Sequence, residues 1–175
     1  MDTRQCKLLT LEKDNLDKTE EYKINILKPI IRNGKLYIKN SKLSIEDFER
    51  ITDELGNALI DFYNGEYVFN DKLIRYLPTR KRELAKSSIL YSDIYLALDV
   101  DTNKLIGFIK LHIRKNTINV NQLYICNEYR QRGYGSELLK FAETIAVNQM
   151  KKILTISVYE ENEIAKLVYL KYGFK

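Results

Sequence analysis

Hydrophobic residues alternate with short polar turns in the second half of the chain. This pattern predicts three strands joined as a meander, at residues 94–98, 105–113 and 117–125. Beyond them, the apolar spacing predicts three further elements: a helix at 136–148, a strand at 153–158 and a helix at 163–172. An antiparallel meander followed by a helix, a strand and a helix is typical of an α/β protein with a mixed sheet and helices on its faces.

Helical periodicity marks the segment ahead of these strands. Apolar residues recur three and four positions apart, which predicts a helix over 45–63. Ser44 is the expected N-cap of this helix, and Asp47 three residues later partly reproduces a capping box. Asn64-Gly65 is the expected end of the helix. A second helical stretch, interrupted by a proline, is expected at 71–88.

A β-hairpin is predicted before the first helix. Residues 22–31 are rich in β-branched side chains, Asn33-Gly34 is a strong signal for a two-residue turn, and residues 36–38 return along the first arm. Pro29 indicates that the outer arm lies at a sheet edge. The first 20 residues are polar with weak periodicity, and no element is predicted there.

Composition narrows the class of protein. A chain of 175 residues, 45% hydrophobic and 30% charged, is expected to form one globular domain. No apolar run is long enough to span a bilayer, and the N-terminus has no secretory signal. Cys6 and Cys126 are too few for a disulfide framework, and a single histidine argues against a metal site. We therefore expect a cytoplasmic protein.

The net charge of +5 and the pI of about 9.0 favour polyanionic ligands. Basic residues are interleaved with acidic ones, and Arg80-Lys81-Arg82 is the one compact basic triplet in the sequence. Nucleic-acid-binding surfaces usually concentrate positive charge on one face, so this distribution disfavours nucleic acid as a partner. A phosphorylated cofactor is a better match for the surplus of positive charge.

The strongest candidate site lies where the third strand of the meander leads into the next helix. There the sequence Arg130-Gln131-Arg132-Gly133-Tyr134-Gly135 contains two glycines one residue apart, which let the backbone turn tightly and approach a ligand. The free amides and the positive dipole end of the helix point at the same place. This stretch predicts an anion site suited to a pyrophosphate. A dinucleotide-binding fold is excluded, because its glycine triplet and downstream acid are missing.

The motif from Arg130 to Gly135 resembles that of the GNAT acetyltransferase superfamily, in which Gln or Arg is followed by two residues, Gly, one residue, and Gly or Ala. A second block in the family order ends the chain: Asn162, Ala165, Tyr169 and Gly173-Phe174. The resemblance covers about residues 36–175, which would be the acetyltransferase domain, and residues 1–35 would be an N-terminal extension with the hairpin. It implies the GNAT fold, a mostly antiparallel twisted sheet flanked by helices.

The resemblance implies acetyl-CoA as the co-substrate and a direct transfer of its acetyl group to an amine. The backbone amides expected to hold the pyrophosphate are those of Gln131, Arg132, Gly133, Tyr134, Gly135 and Ser136. Arg130 and Arg132 are expected to add positive charge beside them. The strand backbone expected to pair with the pantetheine arm and polarise the thioester carbonyl is that of Leu123, Tyr124 and Ile125.

Two side chains of the second block carry implied roles. Asn162 is expected to hydrogen-bond the pantetheine. Tyr169 is at the position of the general acid that returns a proton to the leaving thiolate.

The general base is where this chain departs from the family pattern. The family glutamate on the strand before the pyrophosphate loop corresponds to Asn119, so Asn119 is the candidate catalytic position although a carboxamide is no base. A second position at which family members place the general base corresponds to Ser157, whose hydroxyl group is likewise no base near neutral pH. A water chain that ends at Glu128, Glu160 or Glu161 is the alternative. His112, across the hairpin from Asn119, is interpreted as a polar sheet-face residue, and Cys126 as a packing residue.

The acceptor amine is expected to enter between the first two helices and the strands near Asn119 and Ser157. Four tyrosines are candidates for lining this entrance: Tyr63, Tyr67, Tyr76 and Tyr91. A protein lysine or N-terminus, a polyamine or an antibiotic amine each suits the fold. The sequence has no dense acidic cluster, which favours a peptide or an amine without a charged neighbourhood.

GNAT domains usually continue past Gly-Phe with two more strands, whereas this sequence ends at Lys175. Three explanations stay open: the last strands were lost, the N-terminal hairpin replaces them, or a partner subunit of a homodimer covers the exposed edge. Two rival functions also stay open: a non-catalytic acetyl-CoA-binding regulatory module, and a nucleic-acid-binding protein.

Overall fold

The structure is a computed structural model and describes residues 6–70 and 77–175. It contains eight strands: β1 (Leu8–Lys13), β2 (Asn25–Leu27), β3 (Ile30–Arg32), β4 (Lys35–Tyr37), β5 (Asp93–Leu98), β6 (Leu105–Ile113), β7 (Thr117–Ile125) and β8 (Ile153–Tyr159). It contains four α-helices: α1 (Ile45–Tyr67), α2 (Lys81–Tyr91), α3 (Tyr134–Asn148) and α4 (Glu163–Tyr172). Short 3₁₀ turns occupy Pro78–Arg80 and Asn127–Tyr129.

One six-stranded sheet, in the order β1-β8-β7-β6-β5-β2, forms the centre of the molecule, and β3 pairs with β4 in a separate two-stranded sheet. Neighbouring strands of the large sheet are antiparallel except β7 and β8, which are parallel. The predicted mixed, mostly antiparallel sheet is therefore confirmed.

Helices cover both faces of the large sheet and produce two hydrophobic clusters. On one face, α1 contributes Leu55 and Leu59, which are buried with Phe108 of β6. On the other face, α3 contributes Leu138, which is buried with Val120 of β7. The helix α2 joins the first cluster, and α4 packs its tyrosines against the second. In the described residues, no helix is both long and apolar enough to cross a membrane.

The predictions for the second half of the chain are confirmed. The strands at 105–113 and 117–125 and the helix at 163–172 have the predicted bounds. The strands predicted at 94–98 and 153–158 each gain one residue, and the helix predicted at 136–148 begins two residues earlier. These elements have regularly spaced apolar positions, because each buries one or both of its faces in the hydrophobic clusters.

The predicted end of α1 at Asn64-Gly65 is wrong, since the helix continues to Tyr67. A glycine in a helix costs only about 1 kcal/mol, and tertiary packing of the neighbouring turn can offset that cost. The start of α1 is as predicted, with a complete capping box in which Asp47 N–H donates to Ser44 Oγ (3.1 Å) and Ser44 N–H donates to Asp47 Oδ2 (3.0 Å). Of the second predicted helical stretch, 71–88, the part after the interruption forms the 3₁₀ turn Pro78–Arg80 and α2, which ends three residues later than predicted, and residues 71–76 lie outside the described part of the chain.

The predicted hairpin forms at Asn33-Gly34, whose φ angles of 52° and 74° are left-handed, as a two-residue turn of this kind requires. Its first arm is divided, however. Residues 25–27 pair with β5 as the edge strand β2, and residues 30–32 pair with β4. Pro29 lies between the two pieces, where it removes no sheet hydrogen bond.

The first 20 residues contain a strand for which the sequence pattern gave no prediction. Strand β1 lies antiparallel to β8, with Leu9 opposite Val158, and Glu12 and Lys175 exchange both backbone hydrogen bonds (2.9 and 2.8 Å). The edge of β8 is therefore covered by the N-terminal segment, whereas the hairpin pairs elsewhere. The weak sequence signal has a physical reason, because the strand depends on pairing with the far end of the chain rather than on local propensity.

Candidate active site

Strands β7 and β8 separate part of the way along the sheet. Their parallel pairing runs from Thr117 and Ile153 to Val120 and Ile156. The pairing of β7 with β6 has an irregularity at Asn121, where Lys110 is opposite Gln122 but Leu111 is opposite Val120. Such a bulge bends the strand and increases its twist. It lies at the point where β7 leaves β8.

Beyond this point the backbone of Leu123, Tyr124 and Ile125 pairs with β6 only. Within the described residues, backbone N–H and C=O groups on the β8 side of β7 therefore face a gap rather than a strand, and of these the Ile125 carbonyl accepts a hydrogen bond from Arg130 Nε. Unpaired backbone groups of this kind need hydrogen-bond partners. The gap is suited to a ligand that binds as an added strand.

The glycine loop adjoins the end of β7. Gln131 and Gly133 both have left-handed φ angles, 63° and 83°, and Gly133 is the N-cap of α3. No side chain caps the helix. The first intrahelical bond found here runs from Glu137 N–H to the Gly133 carbonyl (3.2 Å), so the N–H groups of Tyr134, Gly135 and Ser136 precede it. A Cβ built on Gly133 would meet nothing within 4 Å.

These features fit a pyrophosphate. The helix end offers uncapped N–H donors and the positive end of a dipole, and the open space in front of Gly133 leaves room for an anion to approach. The fit rests on backbone geometry, as the glycine spacing predicts.

Arg130 connects the glycine loop to β7 and α1 through its side chain. Its Nε donates to the carbonyl oxygen of Ile125 over 2.8 Å, and its guanidinium lies 5.4 Å from the centre of the Tyr124 ring and 3.8 Å from Asp61 of α1. Arg132 is exposed, with its guanidinium 5.7 Å from the centre of the Tyr129 ring. Of the two arginines expected to add charge, Arg130 thus also connects the loop to β7 and α1.

Tyr124 joins β7 to α1 through its side chain. Its hydroxyl donates a short hydrogen bond to a carboxylate oxygen of Asp61, and its ring stacks on Phe108 at 5.7 Å. Burial, followed by the Asp61 contact, raises the pKa of Tyr124 well above its ordinary value. The side chain therefore stays a neutral hydrogen-bond donor that fixes the strand against the helix.

The two candidates of the second block lie on α4. Asn162 is the N-cap of this helix, and its Oδ1 accepts a hydrogen bond from Ala165 N–H (3.3 Å). The ring of Tyr169 packs edge-on against Phe174 at 6.2 Å. Burial, with a smaller contribution from the charge of Glu66, raises the pKa of Tyr169 to about 12. Its phenol therefore keeps its proton at neutral pH and is able to donate it.

A buried polar cluster lies between α1 and the sheet. The hydroxyl oxygen of Tyr63 accepts hydrogen bonds from Lys110 Nζ (3.3 Å) and Gln122 Nε2 (3.1 Å). Lys110 is 5% exposed, and burial lowers its pKa to about 8. The Oε1 atom of Gln122 is buried without a hydrogen-bond partner among the described residues. Of the candidate tyrosines whose side chains the structure describes, Tyr63 is thus the one that contacts the strands of the site.

Glu66 lies one turn beyond Tyr63 on α1. Residues three apart share a helix face, so Glu66 follows Tyr63 along the side of α1 that meets the sheet. Just past the helix, Phe69 stacks on Tyr159 at the end of β8, with ring centres 5.4 Å apart. Burial raises the pKa of Glu66 above its ordinary value. The Asn64-Gly65 signal predicts an end to α1 before Glu66, which is why no sequence signal pointed to this residue.

The remaining base candidates are dispersed. Glu128, Glu160 and Glu161 are all exposed, whereas Ser157 is half-buried on β8. His112 is exposed and lies opposite Asn119 in the β6–β7 register, as its interpretation as a polar sheet-face residue requires.

The structure also bears on the interpretation of Cys126 and on the remaining candidate tyrosines. Cys126 packs against both hydrophobic clusters, and burial followed by the charge of Glu128 raises the pKa of its thiol to about 11, so the thiol stays protonated. Tyr91 is 85% exposed at the end of α2. Tyr76 and the side chain of Tyr67 lie outside the described part of the chain. The described residues contain no group of three or more His, Cys, Asp or Glu able to hold a metal ion.

Comparison with known proteins identifies the family. The model of the acetyltransferase (GNAT) family matches residues 52–174. A spermidine N(1)-acetyltransferase of Thermoplasma acidophilum is 29% identical over 145 residues, which are 79% of this chain and 88% of that protein. An uncharacterized N-acetyltransferase of Lactobacillus delbrueckii subsp. lactis is 32% identical over 79 residues, 45% of this chain and 43% of that protein.

Solved structures agree with the sequence matches. The PaiA N-acetyltransferase of Thermoplasma acidophilum, in complex with coenzyme A, superposes with a TM-score of 0.55 at 26% identity, over 87% of this chain and 89% of that chain. A probable acetyltransferase superposes with a TM-score of 0.54 at 25% identity, over 70% of this chain and 85% of that chain. The chain belongs to the GNAT family. It is an N-acetyltransferase that uses acetyl-CoA as its co-substrate.

Proposed function

We propose that this chain transfers the acetyl group of acetyl-CoA directly to a primary amine of a peptide, a protein or a small molecule. The observation that carries the proposal is the separation of β7 from β8 beside the uncapped N-terminus of α3. Acetyl-CoA supplies an activated acetyl group as a thioester. A relative that acetylates spermidine makes polyamines one of the acceptor classes to test.

The chain's own groups are assigned to the coenzyme by position. The N–H groups of residues 131–136 hold the pyrophosphate, because they surround the left-handed turn at Gly133. The backbone of residues 123–125 pairs with the pantetheine arm along the open side of β7. Asn162 contributes from the N-terminus of α4, while its Oδ1 caps that helix.

Tyr169 is the proton donor in this proposal. The leaving thiolate needs a proton, and a phenol with a pKa of about 12 is reliably protonated at the pH of the reaction. The ring packs edge-on against the buried Phe174, which restricts the movement of the hydroxyl.

Glu66 is the proton acceptor in this proposal. Attack requires a neutral amine, and a carboxylate whose pKa is raised by burial is a stronger base than an exposed one. Its position between Tyr63, which contacts β6 and β7, and Phe69, which contacts β8, supports this role. The charge of Glu66 also acts on Tyr169, so the two groups lie in the same part of the molecule.

The region beside the gap is positively charged at Lys110, which is buried between α1 and the sheet. A second ammonium group on the acceptor would be repelled there, since charges interact strongly where water is excluded. This feature supports a monoamine or a lysine side chain over a polyamine, in spite of the relative's substrate.

The experiment is an amine screen that measures release of the free thiol of coenzyme A and the mass of the acetylated product. Spermidine, a lysine-containing peptide and an aminoglycoside represent the three acceptor classes. Amine-dependent thiol release with a product heavier by one acetyl group supports the proposal. Tight binding of acetyl-CoA with no release for any amine would instead favour the alternative, a non-catalytic regulatory module.

A further inference from the structure

A cavity lies at the other end of α1, away from the gap between β7 and β8. Its volume is about 620 Å³, within the range of small-molecule sites. The β3–β4 hairpin, the N-terminal half of α1 and the helix α2 form its walls. Phe48 on its wall is about 22 Å along the helix axis from Tyr63, because a helix rises about 1.5 Å per residue. The cavity is therefore separate from the proposed acetyl-transfer site.

The walls of this cavity are largely apolar. The Tyr37 and Phe48 rings pack at 5.5 Å, and Leu36 is buried below them. Ile45, at the rim, is 67% exposed. Apolar surface left open to water in a concave site is stabilised by an apolar ligand.

Three cations face this apolar surface without an acidic partner. Arg32, Lys35 and Lys86 line the cavity, and none of them forms an ion pair with a described residue. The Arg32 guanidinium is held 4.9 Å above the Tyr37 ring, which orients it in advance of binding. Glu49 is the one carboxylate among the described lining residues.

The basic triplet of the sequence does not add to this free charge. Arg82 donates two hydrogen bonds to Asp53 (2.7 and 3.1 Å), and Arg80 pairs with Glu83 at 2.7 Å. Lys81 lies 4.0 Å from Asp53. Two carboxylates thus hold the three cations of the triplet, whereas Arg32, Lys35 and Lys86 line the cavity without an ion pair to a described residue.

We propose that this cavity binds a small amphipathic anion, a carboxylate or phosphate carried on an aromatic or acyl body. A cleft that has low-dielectric walls and is lined by positive charges concentrates anions. The aromatic walls favour an anion that carries an apolar body. The volume is that of a small molecule rather than of a peptide or a nucleic-acid strand. The site is independent of the acetyl-transfer reaction, since it shares no described residue with the candidate active site.

The test uses 8-anilinonaphthalene-1-sulfonate, an aromatic dye with one sulfonate, in the presence of saturating coenzyme A to occupy the other site. Saturable fluorescence at one dye per chain is expected. Lys35→Glu and Lys86→Glu should each weaken binding about tenfold, because each replaces an attracting charge by a repelling one. Lys39→Glu is the matched control, an exposed lysine of the same segment outside the cavity, and should leave binding unchanged. Near-UV circular dichroism of each variant verifies its fold.

Competition identifies the ligand class. Decanoate and decyl phosphate share an apolar chain and differ in the head group, so the stronger competitor names the preferred anion. An uncharged dye of the same body, N-phenyl-1-naphthylamine, should bind more weakly than the sulfonate. Equal binding of the two dyes, with no effect of Lys35→Glu or Lys86→Glu, would overturn the proposal. Displacement by poly-L-glutamate or duplex DNA but by neither decyl compound would also overturn it, in favour of a macromolecular partner.

Discussion

Asn119 donates a 2.8 Å hydrogen bond from its Nδ2 to Thr155 Oγ1, across the parallel pair β7 and β8. The two residues are direct partners in the register, and one pair further, at Val120 and Ile156, the pairing stops. Both residues are 9% exposed. The bond therefore closes the sheet immediately before the gap into which the coenzyme is proposed to bind.

Replacing Thr155 by valine should lower the free energy of unfolding by about 1–2 kcal/mol, because it leaves a buried amide donor without this partner. Urea denaturation measures the change. Thr117→Val, on the same pair of strands but outside this hydrogen bond, is the control. Equal losses in the two variants would show that the Asn119 bond contributes nothing particular.

Tyr169→Phe should lower kcat by about 10²–10⁴-fold with little change in KM, since it removes the proposed proton donor and keeps the ring. Tyr91→Phe, on an exposed tyrosine, should be without effect. The pKa of about 12 also means that Tyr169 remains protonated well into the alkaline range, so it should impose no decline of kcat below about pH 10. An unchanged kcat in Tyr169→Phe would remove Tyr169 from the mechanism.

Glu66→Gln should lower kcat/KM by about 10²-fold or more and abolish the acidic limb of its pH profile. The pKa of Glu66 is raised by burial, so in the wild-type protein this limb should lie above pH 4.5, the ordinary value. Below it the carboxyl group is protonated and cannot accept a proton. Glu46→Gln, exposed near the start of the same helix, is the control. An acidic limb that survives in Glu66→Gln would assign the base elsewhere.

Lys110→Met should stabilise the protein at pH 7 by about 1–3 kcal/mol, because it removes a buried charge. Burial lowers the pKa of Lys110 from 10.5 to about 8. Between these values the unfolded chain binds a proton that the folded chain does not, so the wild-type free energy of unfolding rises with pH in this window and falls as pH drops through 8.

The advantage of Lys110→Met should accordingly shrink between pH 7 and pH 9.5, and urea denaturation at both values tests this. Lys104→Met, on an exposed lysine, should change stability equally at both values. A pH-independent difference between Lys110→Met and the wild type would mean that Lys110 is not desolvated.

Much of the fold could be predicted from the sequence where an element buries one or both of its faces in a hydrophobic cluster. The strands β6 and β7 and the helix α4 have the bounds that their hydrophobic spacing indicates. Two features could not be predicted in this way. The strand β1 depends on its pairing with β8, and the last turn of α1 depends on tertiary contacts that override the signal of Asn64-Gly65.

For the candidate site too, local sequence patterns predict some features and not others. Its backbone part follows from a local pattern, because two glycines before an apolar helix specify a left-handed turn and an open helix end. Its side-chain part does not. Lys110 and Gln122 meet at Tyr63 because three separate elements converge, and no short stretch of sequence contains that information.

The central claim is that the turn at Gly133 holds the pyrophosphate of acetyl-CoA, and calorimetric titration of acetyl-CoA into three proteins tests it most directly. Gly133→Ala introduces strain at the left-handed φ angle but adds no charge, and Gly133→Glu adds a carboxylate where the anion is proposed to bind. We predict that the wild type binds acetyl-CoA with micromolar affinity and that Gly133→Ala binds it with an affinity within about tenfold of the wild-type value. Gly133→Glu should not bind it. Equal binding by the wild type and Gly133→Glu would contradict the account.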